Sequence, residues 1–283
     1  MSVRALQAAD TLLALRLLAP RPFHNVFLEH LVRAGALATL PGFYGYLRRG
    51  ELGGMLMVAP GGSTSLEVRD PAAFEGLARA AAEAPVTPRH IVGAEEVTRA
   101  FWEAFAPWAP PVVWERREPL YLLTRDSLRA DAEGAAKPAI EEARATDLEA
   151  IVRNSAAQFR EDLKQDRQAE DPPAFRARHE REIREGRWWV VREEGEVVFQ
   201  VHVGPANRDT VQLGGVYTSP ELRGRGRATR GMLAIVHRLL EKRPAVTLFC
   251  DESNRVARRV YERVGFRVLG WYRSWLLEQL DPE

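Results

Sequence analysis

The chain has 283 residues, which at roughly 150 residues per domain anticipates two domains or one large one. Hydrophobic residues make up 46% and charged residues 28%, proportions that exclude disorder, collagen and coiled coil. Forty Lys plus Arg against 39 Asp plus Glu leave +1, too balanced for wrapping nucleic acid or coating an anionic membrane, and a single cysteine, Cys250, excludes a disulfide framework and a cysteine-rich zinc site.

At the N-terminal end, the apolar stretch Leu12–Leu18 is short, is broken by Arg16 and lacks a small-residue cleavage pattern, so no signal peptide is expected. No run approaches the roughly 20 apolar residues of a membrane span. The expectation is a soluble, cytoplasmic protein, monomer or homodimer, with no nucleic acid, membrane or metal partner. Phe23–Arg33 reads as a helix, with Phe23, Val26, Phe27, His30 and Leu31 on one face. Phe43–Leu47 and Leu52–Val58 read as strands joined through Arg48-Arg49-Gly50-Glu51. Pro71–Ala84 is an alanine-rich helix led by Asp70, and after it come a strand near His90–Val92, a helix over Glu95–Phe105, and strands Val112–Arg117 and Leu120–Thr124. The stretch 128–138, LRADAEGAAKP, is small, polar and aperiodic and is expected to link a domain over 1–127 to one over 139–283.

Beyond it a similar order returns. Helices are expected from Thr146-Asp147 to about Phe159 and over Pro173–Glu185, then a hairpin of Trp188–Arg192 and Val197–Val203. A strand over Val211–Thr218, a helix over Thr229–Glu241, a strand over Val246–Cys250, a helix over Asn254–Val264 and closing antiparallel strands in Phe266–Leu277 follow. This pattern predicts an α/β layer with a mixed sheet. The segments HIVGAEEVTRAFW and TLFCDESNRVARRVY are both a strand, an acidic turn and a helix; Val97 falls on Val256, Glu95 on Asn254 and Trp102 on Tyr261. Tandem duplication and the chance likeness of two common units both account for this.

The stretch VYTSPELRGRGRAT, Val216–Thr229, carries the most chemistry. A β-rich segment ends, Pro220 interrupts pairing, and Arg223-Gly224-Arg225-Gly226-Arg227-Ala228 runs straight into a helix. Glycines let the backbone approach a ligand, and the free N–H groups of a helix's first turn attract phosphate. Arg223, Arg225, Arg227 and Arg230 make the loop basic, so it reads as a pyrophosphate cradle. A Rossmann fingerprint fits only partly, a P-loop lacks its Gly-Lys-Ser/Thr, and a merely structural Arg-Gly turn could also produce the string. Downstream, Asn254, Ala257 and Tyr261 are spaced to share one helical face, the small Ala257 leaves room for a slender ligand, and Gly265 ends the helix.

With both motifs in order, the segment from about Ile140 to Leu277 resembles the GCN5-related N-acetyltransferase (GNAT) superfamily. The string Arg223-x-x-Gly226-x-Ala228 is similar to its acetyl-CoA pyrophosphate motif, and Asn254-x-x-Ala257-Arg258-x-x-Tyr261-x-x-x-Gly265-Phe266 to its second signature. The two-domain layout, with IVGAEEVTRAFW and RREPLYLL in the first half, resembles the bacterial subgroup in which a DUF4081 domain precedes the transferase. The resemblance implies a GNAT fold, a mixed sheet splayed after its fourth strand and flanked by helices, preceded by a smaller α/β domain that is a candidate degenerate repeat. It also implies acetyl-CoA as cosubstrate and acetyl transfer to an amine. Val216, Tyr217 and Thr218 would meet the acetyl and pantetheine amides, with the Val216 backbone on the oxyanion. Arg223, Gly224, Arg225, Gly226, Arg227, Ala228 and Thr229 would hold the pyrophosphate, and Asn254 and Ala257 the pantetheine arm. Tyr261 would be the general acid, unless it is only a core aromatic.

Phe159, Glu161, Asp162, Gln200, His202 and Gln212 are the acceptor-side candidates, and none stands out as the base. The acceptor class stays open among a small-molecule amine, an amino acid and a protein amine. The first half has SLEVRD where a phosphate loop would fall, and Trp102 where Tyr261 stands, so one acetyl-CoA per chain is expected. A catalytically silent CoA-binding sensor is the alternative.

Overall fold

The structure is a computed structural model and describes residues 2–129, 139–163 and 166–278. The chain forms two compact units, Met1–Leu120 with Val268–Glu283, and Tyr121–Arg267. The expected division into 1–127 and 139–283 differs from this at the far end, where the last strand belongs to the first unit. Most of the expected linker lies outside the described residues.

The first unit runs β1 (Ser2–Ala5), α1 (Thr11–Leu18), α2 (Val26–Arg33), α3 (Ala36–Thr39), β2 (Phe43–Arg48), β3 (Glu51–Val58), β4 (Ser63–Val68), α4 (Ala73–Ala82), β5 (His90–Ala94), α5 (Glu95–Phe105) and β6 (Val112–Thr124). The apolar stretch that argued against a signal peptide is α1, buried through Ala14, Leu17 and Leu18. The two strands expected after α5 are one continuous strand, whose last residues, Tyr121–Thr124, lie in the second unit.

The second unit repeats the order. It contains β7 (Ile140–Glu142), α6 (Leu148–Leu163), α7 (Arg167–Glu170), α8 (Pro172–Arg184), β8 (Trp188–Glu193), β9 (Glu196–Ala206), β10 (Thr210–Tyr217), α9 (Arg227–Leu240), β11 (Ala245–Phe249) and α10 (Arg255–Val264). The chain then enters β12 (Arg267–Leu277), a single strand where several were expected, and β12 pairs antiparallel with β5 in the first unit. Pairing follows one scheme in both units. Strands β1 to β4 are antiparallel neighbours and β4 runs parallel to β5; β7 to β10 are antiparallel neighbours and β10 runs parallel to β11.

Local chemistry explains the repetition. Each unit opens with a strand and a short 3-10 turn whose aspartate reaches back to a backbone N–H: Asp10 accepts from Gln7 at 2.9 Å, and Asp147 from Arg144 at 2.6 Å. Arginines neutralise both carboxylates, Arg4 on Asp10 at 2.7 Å and Arg192 on Asp147 at 3.0 Å. Each unit also has a two-residue hairpin with both central residues at positive φ, Arg49-Gly50 and Glu194-Gly195, the geometry that matches strand twist.

Alternating side chains divide the second unit into two layers. Phe199, Val201, Val211 and Leu213 face α9 and α10, packing on Met232, Ile235, Val236, Tyr261 and Val264. Trp188, Val190 and Val197 face α6 and α8, against Ile151, Val152, Phe175 and Ile183. In the first unit α4 and α5 cover Leu56, Leu66 and Ile91, and α1 and α2 cover Met55 and Met57.

In the first unit Trp275 of β12 stacks on Trp102 of α5, with ring centroids 5.1 Å apart and planes 10° apart. Trp275→Ala should therefore destabilise the first unit by about 3–5 kcal/mol, a loss measurable by urea denaturation; an unchanged midpoint would mean that β12 is not needed there.

Candidate functional site

Strand β10 pairs with β11 over three residues only, Thr210–Gln212 against Ala245–Thr247. From Leu213 onward β10 continues without β11 beside it, which is the splay that the sequence resemblance implied. On its other side β10 slips one residue against β9: Gly214 faces His202, but Tyr217 faces Gln200. Three residues on one strand then span two on the other, a β-bulge that re-aims the backbone of Gly215 and Val216. Gly215 takes φ +58, and a Cβ there would stand 2.7 Å from the Trp188 ring, so glycine is required on both conformational and steric grounds.

The bulge points β10 at the basic loop. Gly224 and Gly226 take φ +78 and +72, and a Cβ on Gly224 would meet nothing within 4 Å. Gly226 is the N-cap of α9, so Arg227, Ala228 and Thr229 form the first helical turn and offer its free N–H groups. Arg223, Arg227 and Arg230 are held by hydrogen bonds within the chain. Arg227 Nε donates to both Glu193 oxygens at 3.0 Å, and Arg230 donates to the Arg225 carbonyl at 3.0 Å. Arg223 donates to the Thr218 carbonyl at 2.9 Å and to Glu161 at 2.8 Å. An anion at this loop would therefore meet chiefly main-chain donors, with the guanidiniums providing positive potential. This donor set and open backbone fit a pyrophosphate. The buried Thr218 hydroxyl, which has no hydrogen-bond partner, fits the polar arm that would lie alongside.

Several of the candidate residues meet. Glu161, at the end of α6, accepts from the Tyr217 hydroxyl at 2.9 Å as well as from Arg223, joining the acceptor-side helix to the phosphate loop. Burial and then that hydrogen bond push the Tyr217 phenol up to about 12. Gln158, which the sequence did not single out, donates to the Val216 carbonyl at 3.4 Å. Gln200 is fully buried between Asn154 (3.1 Å) and Ser155 (3.3 Å). Phe159 instead packs edge-on against Phe175 as a core aromatic, while Gln212 is buried at the last paired position of β10.

On α10, Asn254 caps the helix by accepting from the Ala257 N–H at 3.0 Å, which leaves its amide nitrogen as the group free to donate. Tyr261 is buried, edge-on to both Tyr121 and Phe266. Burial above all, with Cys250, Asp162 and Tyr121 nearby, pushes its phenol above the ordinary value, so Tyr261 keeps its proton throughout the physiological range. Gly265 closes α10 at φ +114 beneath the Ser127 carbonyl.

Among the described residues no group of His, Cys, Asp and Glu could hold a metal ion, and no helix is long and apolar enough to cross a membrane.

Residues 153–266 match the model of the Acetyltransferase (GNAT) family. No curated protein is significantly similar to the chain. Solved structures are similar along its whole length. A tandem GNAT protein from the clavulanic acid biosynthesis pathway is 16% identical with a TM-score of 0.63, covering 100% of this chain and 99% of its own. A GCN5-related N-acetyltransferase from Sphaerobacter thermophilus is 18% identical with a TM-score of 0.63, covering 99% and 97%. A GNAT-family acetyltransferase from Colwellia psychrerythraea is 11% identical with a TM-score of 0.61, covering 98% and 100%.

The loop depends on how closely α9 lies on the sheet. A Cβ on Gly231 would stand 2.5 Å from the Phe199 ring. Gly231→Ala should cost about 1–3 kcal/mol of stability through overpacking, seen as a lower melting temperature; an unchanged melt would show that α9 has room to move.

By its fold, the chain is a mixed α/β protein with a GNAT domain, preceded by a smaller α/β domain.

Proposed function

We propose that the chain is an acetyl-CoA-dependent N-acetyltransferase that moves an acetyl group to a primary amine by direct attack in a ternary complex. The observation that carries this reading is the splay of β10 from β11, which ends at a glycine loop opening onto the first turn of α9. The match of residues 153–266 to the GNAT family supports it. Within that family the chain resembles the bacterial subgroup with an N-terminal DUF4081 domain.

When bound, acetyl-CoA supplies the acetyl group as a thioester. The amides of Gly224–Thr229 would hold the pyrophosphate, while Val216, Tyr217 and Thr218 would meet the pantetheine and acetyl groups along the free edge of β10. Asn254 and Ala257 would flank the arm. A backbone N–H at Val216, aimed by the bulge, would stabilise the oxyanion, a contribution typically of about 2.7–4 kcal/mol. Tyr261, neutral and buried, would give its proton to the departing thiolate.

The first unit supports a single cofactor site. Its strands β3 and β4 pair without any shift from Gly54↔Val68 to Val58↔Thr64, so no bulge is present. At the point where a phosphate loop would stand, Asp70 accepts the Ala72 N–H at 3.1 Å and pairs with Arg48. A carboxylate occupies the donor that an anion would need. Trp102 replaces the acid.

Calorimetric titration with acetyl-CoA should give one site per chain, and Gly226→Glu should abolish it by placing a carboxylate and a strained φ in the cradle. Two sites would mean that the first unit also binds; no binding by a folded chain would overturn the reading. Tyr261→Phe should keep the affinity and lower kcat on the order of 10²-fold, measured by thiol release with a panel of free amino acids, spermidine and a peptide with a free α-amine. Binding without turnover on any amine would favour a CoA sensor instead.

A further inference from the structure

The face of the second unit covered by α6 and α8 holds a buried pair that the mechanism above leaves unused. Glu182 of α8 is 3% exposed and accepts from Trp188 Nε1 at 3.0 Å and from Arg178 Nε at 2.9 Å. Its Oε2 lies 3.7 Å from His202 Nε2. That nitrogen is sealed from solvent and has no hydrogen-bond partner, so at 3.7 Å the carboxylate acts on it as a nearby charge. Directly across the ladder from His202 stands Gly214, and a Cβ there would meet nothing within 4 Å. Cross-strand partners share a face, so this open space flanks the imidazole. It lies two residues before Val216, where the acyl group would sit.

We propose that the open space over Gly214 receives the acceptor amine, that His202 takes its proton, and that Glu182 is the positioning residue that holds the imidazole in the Nε2–H form. The inference rests on the acyltransferase reading. The amine nitrogen's lone pair forms the N–C bond and moves the carbonyl electron pair onto the oxyanion, which then collapses as the C–S bond breaks; the nitrogen's proton goes to His202, and the sulfur receives the proton of Tyr261. Both residues then re-equilibrate with water.

The surroundings agree with this assignment. Burial first lowers the imidazole, to about 4, while Glu182 raises it and Arg187, Arg178 and His179 lower it further; His202 is therefore neutral at pH 7, with its ring lone pair unprotonated. Burial raises the Glu182 carboxyl, but Arg178 and His202, with the hydrogen bonds from Arg178 and Trp188, outweigh it and keep it ionised. A buried anion facing a neutral imidazole is arranged to stabilise the cation that proton transfer creates. The Trp188 ring, 5.0 Å from the imidazole, limits its rotation.

Imidazole ¹⁵N shifts of the full chain at pH 7 should report the Nε2–H tautomer of His202, and Glu182→Gln should turn it into a mixture. An unchanged tautomer in that variant would overturn the pairing whatever the activity shows. With the best acceptor of the amine panel, His202→Gln should lower kcat by about 10²–10⁴-fold, and Glu182→Gln on the order of 10²-fold, both with acetyl-CoA affinity unchanged. Gly214→Leu should raise KM for the amine alone. If the wild-type chain binds acetyl-CoA and acetylates an amine but the His202 variant keeps its rate and pH profile, this inference fails and the transferase reading stands. If the wild type neither binds nor transfers, both fail.

Discussion

Every feature of the candidate site depends on one departure from regular pairing, the parting of β10 from β11 after Gln212 and Thr247. A strand edge inside a fold carries N–H and C=O groups that must find partners, because an unpaired buried peptide group costs as much as a lost hydrogen bond. The chain meets part of that demand itself, with Gln158 on the Val216 carbonyl and Arg223 on that of Thr218. What it leaves unmet lies along the same line, at the Thr218 hydroxyl and the first-turn amides of α9. An extended ligand with amides at one end and phosphates at the other satisfies both. The bulge makes the arrangement possible, since an unshifted β10 would keep Val216 in register with β9.

The two units are controls for one another. They share element order, pairing scheme, capped opening turn and hairpin geometry, all of which serve the fold. They differ at the bulge, the glycine loop and the residue at Tyr261, all of which belong to the candidate ligand site. In the first unit the strand runs straight and carries a buried carboxylate, Glu67, and an indole stack stands at Trp102. Folding constraints are thus retained in both copies of the architecture, while the features that would bind and react are found in one.

The elements with strong periodicity were legible in sequence. The helix Glu95–Phe105 has the expected bounds, and most others agree within three residues, because amphipathic spacing and Gly or Asp punctuation are local signals. Short edge strands β1 and β7 carry little sequence signal, since three or four residues hold too little alternation, and β4 carries little because its Ser and Glu are buried by neighbours the sequence does not name. The glycine loop and Asn254–Tyr261 were legible as motifs. Glu182 was not: on α8 it reads as one more charge on a polar helix, and only the fold brings Trp188 and His202 to it. Gly214 was equally silent, for its meaning is the emptiness above it.

The placement of β12 has a consequence for how the protein is made. The contiguous part of the first unit ends at Leu120, yet its sheet is extended by residues that follow the entire second unit. At about 5–20 residues per second, synthesis of the roughly 175 residues between them leaves β5 waiting about 9–35 s for its partner. Until then the first unit exposes an open β5 edge and the unstacked face of Trp102. A chaperone acting on the growing chain would find that open edge in its N-terminal half.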